Sequence, residues 1–365
     1  MEEHKSESND TVTWGLFAAS NSANGFKSYY SEIFGKREYE KVYVIKGGPG
    51  TGKSRFMSEV SRSVRERGHE VEHYYCSSDP DSLDGIIIDN RIVILDGTPP
   101  HSYEGTLMGA RDELIDLGSF WDSEKLYDKA DEIERLVELK SEHYKKAYKY
   151  LEACGSVDSV NAKLMLSALK HKKMESALQR LISLFEDEDK LEITPSTTDS
   201  IGMKGRVKFD TYEKSAEKLY YVIDCYNSAR FYLSLLITMA KQKNISMRIS
   251  YEPISCQYPD CVYFYNKKTA FVIVDKDDSE RADAVKINMK RFIDHSVLSD
   301  IKKELKCNKK LYEGLLSSAV ESLVDAGNSH FELEKIYSSC MDFDAKERYT
   351  VSFCEKLLNF LEKKV

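Results

Sequence analysis

Val42-Tyr43-Val44-Ile45-Lys46-Gly47-Gly48-Pro49-Gly50-Thr51-Gly52-Lys53-Ser54 is the stretch on which the fold turns. An apolar, β-branched run enters a glycine-rich octapeptide, and a helix-compatible run leaves it, from Lys53 to Gly68. Strand, glycine loop and helix make the setting that the G-x-x-x-x-G-K-[ST] pattern requires. The glycines let consecutive N–H groups converge on a phosphate, and the helix adds its positive N-terminal end. On that chemistry Gly47, Gly48, Pro49, Gly50, Thr51 and Gly52 form a phosphate cradle. Lys53 then lies against the β- and γ-phosphates of a nucleotide, Ser54 offers its hydroxyl to Mg²⁺, and Arg55 follows beside them. A glycine-rich turn that binds nothing would need neither the lysine nor the serine.

Working outward, Val71 to Cys76 reads as a second strand, and the polar segment Ser77 to Asp84, with its Asp79-Pro80 step, reads as a loop. That loop follows the carboxyl end of a strand, where open α/β sheets place ligands. Gly85 to Ile88 turns at Asp89-Asn90 and returns as Ile92 to Asp96, both too β-branched for helix. Asp96 ends an apolar strand before Gly97, the place of a carboxylate that holds Mg²⁺ through water; a strand-end cap is the plainer alternative. Asp79, Asp81 and Asp84 put carboxylates on the loop. Of these, Asp79 and Asp84 are the candidates to orient a water or accept a proton, although acids on polar loops are commonly just solvated. His101 is a further ligand candidate, and Arg55, Arg91, Arg111 and Arg230 are candidate charge stabilisers. Upstream, Trp14 to Ala19 reads as a strand, and Asn24 to Tyr30 as a turn leading into a short helix.

The 365 residues exceed what one core accommodates, so two domains are expected. A net charge of -8 argues against a protein that coats nucleic acid. The N-terminus lacks the plan of a signal peptide, and the longest apolar run, Phe231 to Ala240, falls short of a membrane span. A soluble cytoplasmic protein is expected. Its eight scattered cysteines are expected to be reduced, and the lone Cys256-x4-Cys261 pair is weak evidence for zinc.

From Ser123 the texture changes. Leu126, Ala130, Ile133, Val137, Tyr144, Ala147 and Leu151 keep helical spacing until Gly155, and a second helix is expected from Val160 to Phe185. The pair predicts an antiparallel helical hairpin, an arm at about 122–186 closing a domain of residues 11–190. Residues 191–211, rich in Ser and Thr with one proline and two glycines, read as a linker. Residues 212–365 then repeat the first half. Lys218 to Ile223 parallels Lys41 to Ile45, Thr269 to Asp275 parallels Arg91 to Asp96, and Ala319, Leu323 and Gly327 parallel Ala147, Leu151 and Gly155. The spacing holds near 175 residues, roughly, as an internal duplication would, and it predicts a second arm at about 297–365. Where the first copy has its glycine loop, the second has Asp224 to Arg230, with no glycine and no lysine. One nucleotide site per chain is therefore expected, and Asp275, with no such loop beside it, reads as a structural aspartate. The fold class predicted is α/β, with two tandem P-loop NTPase-like cores each followed by a helical hairpin.

Absent motifs narrow the class. No N/T-K-x-D guanine-reading motif and no L-S-G-G-Q signature occurs, and Gly97 stands where many ATPases have a water-activating glutamate. The segments Gly25-Phe26, Ile45 to Ser54, Cys76 to Asp79, Asp81 to Gly85 and Asp96 to His101 resemble the bacterial tandem P-loop ATPase-like proteins of uncharacterised function, found largely in Gram-positive anaerobes and spore formers. The resemblance is specific across Trp14 to Leu126 and dim beyond. Members of that family often carry a second intact glycine loop, from which this chain departs at Asp224 to Arg230. The resemblance implies ATP binding and hydrolysis without naming a substrate. Three readings follow: an Mg²⁺-dependent ATPase that moves its arms or halves, a small-molecule kinase with Asp79 or Asp84 as base, and a nucleotide-gated module whose arms bind a protein.

Overall fold

The structure, a computed structural model, describes residues 14–100, 103–275 and 281–363. The first half runs β1 (Trp14–Phe17), β2 (Ala19–Ser22), β3 (Gly25–Ser28), α1 (Tyr30–Phe34), β4 (Lys41–Lys46), α2 (Lys53–Arg65), β5 (Val71–Tyr75), β6 (Leu83–Ile88), β7 (Ile92–Asp96) and β8 (Asp112–Asp116). Six strands form one mixed sheet in the order β1-β5-β6-β7-β4-β8, with β6 antiparallel to both neighbours and the other pairs parallel. The β6–β7 turn uses Asp89 and Asn90 at φ 50 and 53, a left-handed pair that short polar side chains tolerate. The expected strand through Ala19 ends at Phe17, and the stretch expected to lead straight into a helix first pairs β3 with β2. Gly25, at φ 87, makes Asn24-Gly25 a hairpin signal.

Next come α3 (Ser123–Tyr127), α4 (Ala130–Ser167) and α5 (His171–Ile182). The second half runs β9 (Ile193–Ser196), β10 (Asp199–Gly202), β11 (Gly205–Lys208), α6 (Thr211–Ser215), β12 (Lys218–Ile223), α7 (Ala229–Gln242), β13 (Met247–Tyr251), β14 (Pro259–Phe264), β15 (Thr269–Val274), β16 (Val285–Asn288), α8 (His295–Ser338) and α9 (Phe343–Glu362). Its sheet reads β9-β13-β14-β15-β12-β16, the first sheet's order strand for strand and with the same senses. Even the irregularity between Tyr74 and Tyr75 of β5 recurs between Ser250 and Tyr251 of β13. The strand register moves one expected correspondence: Asp96 lies opposite Ile45, whereas Ile273 lies opposite Val222, so Asp275 falls just past the end of β15.

Two expectations are corrected. The 191–211 segment is no linker, because it supplies β9, β10 and β11 and is buried at Thr194 and from Ser196 to Gly202. Its hydroxyls are satisfied internally: Ser200 Oγ donates to the Ser77 carbonyl at 2.9 Å, and Ser196 Oγ meets the Tyr212 hydroxyl at 2.5 Å. A polar composition normally left to solvent is thus compatible with burial. The helical hairpins are also absent. Gly155 does not stop a helix but sits inside α4, where a Cβ would come within 2.6 Å of the Ala23 Cβ. Close approach to the β2–β3 turn is its role, and Gly327 of α8 approaches Met203 of the β10–β11 turn in the same way.

Instead, α4 and α8 pair with each other. Leu136 packs with Leu333 and Ile336, Ala147 and Leu151 with Ala319 and Leu323, and Asn308 Nδ2 donates to Asn161 Oδ1 at 2.9 Å. Numbers fall on one helix as they rise on the other, so the pair is antiparallel. Each helix carries the chain to the opposite half. Met174, Leu178 and Ile182 of α5 join the core of the second sheet beneath α7, and Phe353, Leu357 and Leu361 of α9 join that of the first beneath α2. The inner faces of the two sheets meet in one core. Val42, Val44 and Tyr74 share it with Leu219, Tyr221 and Val272, while the alternate residues Tyr43 and Ile45 face α2 and α9. Arg248 of β13 clamps Glu72 of β5 at 2.6 and 3.0 Å across that junction. The boundary expected near residue 190 divides the sequence but not the packing. No helix among the described residues is long and apolar enough to cross a membrane.

Candidate phosphate-binding site

β4 delivers the glycine loop at the carboxyl end of the first sheet, and α2 begins at Lys53. Gly47, Gly50 and Gly52 lie at φ 152, 68 and 80, conformations that side-chain-bearing residues rarely adopt. Thr51 is buried and its hydroxyl donates to the Gly48 carbonyl at 2.9 Å, which closes the loop on itself. Lys53 Nζ donates to the carbonyls of Gly47 and Gly48, both at 3.0 Å, and stands 3.6 Å from Asp96 Oδ2. Asp96 Oδ1 accepts from the Thr98 backbone N–H at 2.8 Å and from its hydroxyl at 2.6 Å. Ser54 Oγ accepts from Leu83 N at 2.9 Å, tying α2 to the end of the Ser77 to Asp84 loop.

The structure gathers some of the expected acids and disperses the expected arginines. Asp84 is buried at the start of β6, and burial, then Asp84, then Asp96 push the Tyr30 phenol well above its ordinary range. Both carboxylates thus act on one buried phenol. Asp79 accepts the Asp81 N–H at 3.3 Å, and burial, then Asp79, push the pKa of the Glu334 carboxyl of α8 upward. Asp81 is on the surface, paired with Lys204. Arg55 does not reach the cradle: it turns outward along α2 to Glu59 at 2.8 Å. Arg91 pairs with Glu40 at 2.9 Å, at the far end of the sheet, and Arg111 is held against Asp112 at the start of β8. Arg230 is buried in the second half, its guanidinium forked onto Asp158 of α4 at 2.6 and 2.7 Å. His101 lies outside the described residues.

Residues of α4 and α8 that sequence reasoning did not place stand at the loop. The Ser338 hydroxyl bridges the carbonyls of Gly50, at 3.2 Å, and Glu334, at 2.6 Å, and the Tyr337 ring packs on Gly48, 2.9 Å from where a Cβ would sit. His330 Nε2 is 3.6 Å from Glu334 Oε1. Burial, then the Lys140 and Lys53 ammonium groups, pull the His330 imidazole down to about 4, and burial, then Lys53, lower the pKa of Lys140. Lys346 of α9 is buried beside Gly52 and meets Glu59 at 3.5 Å. No local sequence signal marks these residues, because each lies on an amphipathic helix whose polar face reads as solvated.

The second-half loop carries its own anion. Asp224 accepts from Asn227 N at 2.7 Å and Ala229 N at 2.8 Å, so a carboxylate meets the first N–H of α7. Among the described residues no group of three or more His, Cys, Asp or Glu could hold a metal ion by itself. A magnesium ion at the first loop would therefore draw part of its oxygen shell from a phosphate, as Mg²⁺ commonly does; the Ser54 hydroxyl and Asp96 are the side chains that would hold it. No protein-family profile, no curated protein and no solved structure matches the chain.

Proposed function

We propose that the chain binds Mg²⁺-ATP at Gly47 to Ser54 and hydrolyses it, with one nucleotide site in the N-terminal half. The observation that carries this reading is the placement of Lys53 between two carbonyls of its own glycine loop and Asp96 at the end of the neighbouring strand. Phosphate oxygens would replace those carbonyls as partners of the ammonium group, and the free N–H groups at the start of α2 would take the rest. Bound Mg²⁺ would neutralise charge on the phosphates, with Ser54 and Asp96 as its protein-side partners. Water then attacks the γ-phosphorus, the bond to the β–γ bridging oxygen breaks, and ADP leaves with phosphate. Asp84 and Asp79 are the groups that orient the water and take its proton. With Gly97 after Asp96 and none of the four candidate arginines at the loop, slow turnover is expected.

The wider reading is of two P-loop-type cores derived by duplication, the second having lost its phosphate site. The common strand order, the shared irregularity in β5 and β13, and the roughly constant sequence spacing support it. Titration with a fluorescent ATP analogue, paired with a phosphate-release assay, tests the site. Lys53→Ala is expected to weaken binding at least about tenfold, the loss of one charge-assisted contact, and to abolish phosphate release. Unchanged behaviour in both assays refutes the assignment.

A further inference from the structure

α9, the last helix of the chain, packs against the first half and brings a buried ammonium group to its glycine loop. Lys346 is 3% exposed, and its Nζ stands 3.8 Å from where a Cβ on Gly52 would sit. We propose that Lys346 is a second cation for the nucleotide phosphates, carried to the N-terminal site from the far end of the sequence. The inference rests on the reading of Gly47 to Ser54 as a nucleotide loop and names a further residue that the bound phosphates would meet.

Three observations converge on it. First, Gly52 is the N-cap of α2, and the N-terminal end of a helix is positive, so an ammonium there is repelled both by the helix and by Lys53. An anion at the loop would reverse the sign of that environment and favour the cation. Second, burying an ammonium is costly unless it is closely paired, yet the ion pair of Lys346 is loose. Its Nζ lies 3.5 Å from Glu59 Oε2, and Glu59 already accepts the Arg55 Nε–H on Oε1 at 2.8 Å. A phosphate oxygen at Gly52 would give the ammonium a closer partner. Third, the two halves differ at this position. The chain enters α9 and α5 through matching crossings: Asp342 N donates to the Phe120 carbonyl at 2.8 Å and Asp122 N to that of Cys340 at 2.7 Å, just as Lys170 N donates to the Phe292 carbonyl and Asp294 N to that of Ala168, both at 2.7 Å. These bonds set Asp342 level with Lys170 and therefore, one helical turn on, Lys346 level with Met174, which is 2% exposed in the second half's core. The position is buried in both halves. Methionine fills it where the loop has no glycine, and lysine fills it where the loop could cradle a phosphate. Packing alone is met by the methionine.

The experiment uses the full chain, Mg²⁺ and a fluorescent ATP analogue, with wild type, Lys346→Met, Lys346→Gln, Glu59→Gln and Lys53→Ala. Loss of the charge is expected to weaken binding by about tenfold in both Lys346 variants, the loss of one hydrogen bond to a charged group. The glutamine variant keeps a polar side chain at the position should methionine fail to fold. Glu59→Gln separates phosphate binding from a strap between α9 and α2, because it breaks the same ion pair from the other side. It is expected to tighten binding or leave it unaltered, since the ammonium is then released to the phosphate. Weaker binding by Glu59→Gln makes the pair structural and overturns the proposal. Lys346 variants that bind as wild type does, while Lys53→Ala binds weakly, also overturn it and leave the nucleotide site standing. Failure of every protein to bind, or binding that Lys53→Ala leaves untouched, overturns the nucleotide loop and Lys346 together.

Discussion

Lys53 at the first residue of α2 and Arg230 at the second of α7 occupy matching places, and their partners set the two halves apart. Lys53 rests on exchangeable backbone carbonyls, whereas Arg230 is committed to a buried carboxylate. A planar guanidinium suits that fork, which the point charge of an ammonium would not fill. His73 shows how burial tunes a residue in the same half. It is 6% exposed, its Nε2 lies 2.7 Å from Ser61 Oγ, and burial, then Arg65, pull its pKa down to about 4. The unfolded chain binds a proton below its ordinary pKa of about 6.5 that the folded chain refuses until pH 4. Stability attributable to His73 is therefore present at neutral pH and lost between pH 6.5 and 4, amounting to about 3 kcal/mol. Urea denaturation at steps from pH 7 to pH 4.5 measures the slope, and His73→Gln is expected to flatten it; an identical slope in the variant sinks the assignment.

At the scale of elements, two glycines inside long helices make a paired prediction. Glycine costs a helix about 1 kcal/mol relative to alanine, so alanine gains that amount wherever its methyl fits. At Gly155 the methyl meets the Ala23 Cβ at 2.6 Å, an atom fixed to a tight turn. Relief requires α4 to move off the β2–β3 hairpin, and Gly155→Ala is expected to destabilise by about 1 to 2 kcal/mol. At Gly327 the nearest obstacle is the terminal methyl of Met203, which can rotate aside. Gly327→Ala is expected to be neutral or stabilising by up to about 1 kcal/mol. Denaturation midpoints of the two variants check the difference in sign.

At the scale of the molecule, each half is completed by the other. The first sheet's outer core takes Phe353 and Leu357 from α9, and the second's takes Met174 and Leu178 from α5. Cutting between Asp187 and Glu188 would leave each fragment with an extra helix that belongs to its partner and a core face open to water. Expressed singly, the fragments are expected to be insoluble; co-expressed, they should copurify as one complex. A soluble, cooperatively unfolding N-terminal fragment on its own would contradict this.

Local chemistry settled what could be read directly. The strand, glycine loop and helix around Lys53, the β6–β7 hairpin and the placement of Asp96 follow from residue preferences over a few positions. The repeat of the strand pattern was also legible, because buried strands keep their apolar runs. Tertiary structure alone decided the rest. An apolar stripe on a helix states that it must pack, not against what, so two stripes that read as self-contained hairpins pair across the halves instead. Gly155 reads as a helix stop until Ala23 is set beside it, and a Ser/Thr-rich stretch reads as a linker until its hydroxyls find internal partners. Glu334 and Ser338 reach the glycine loop only because α8 returns across the molecule.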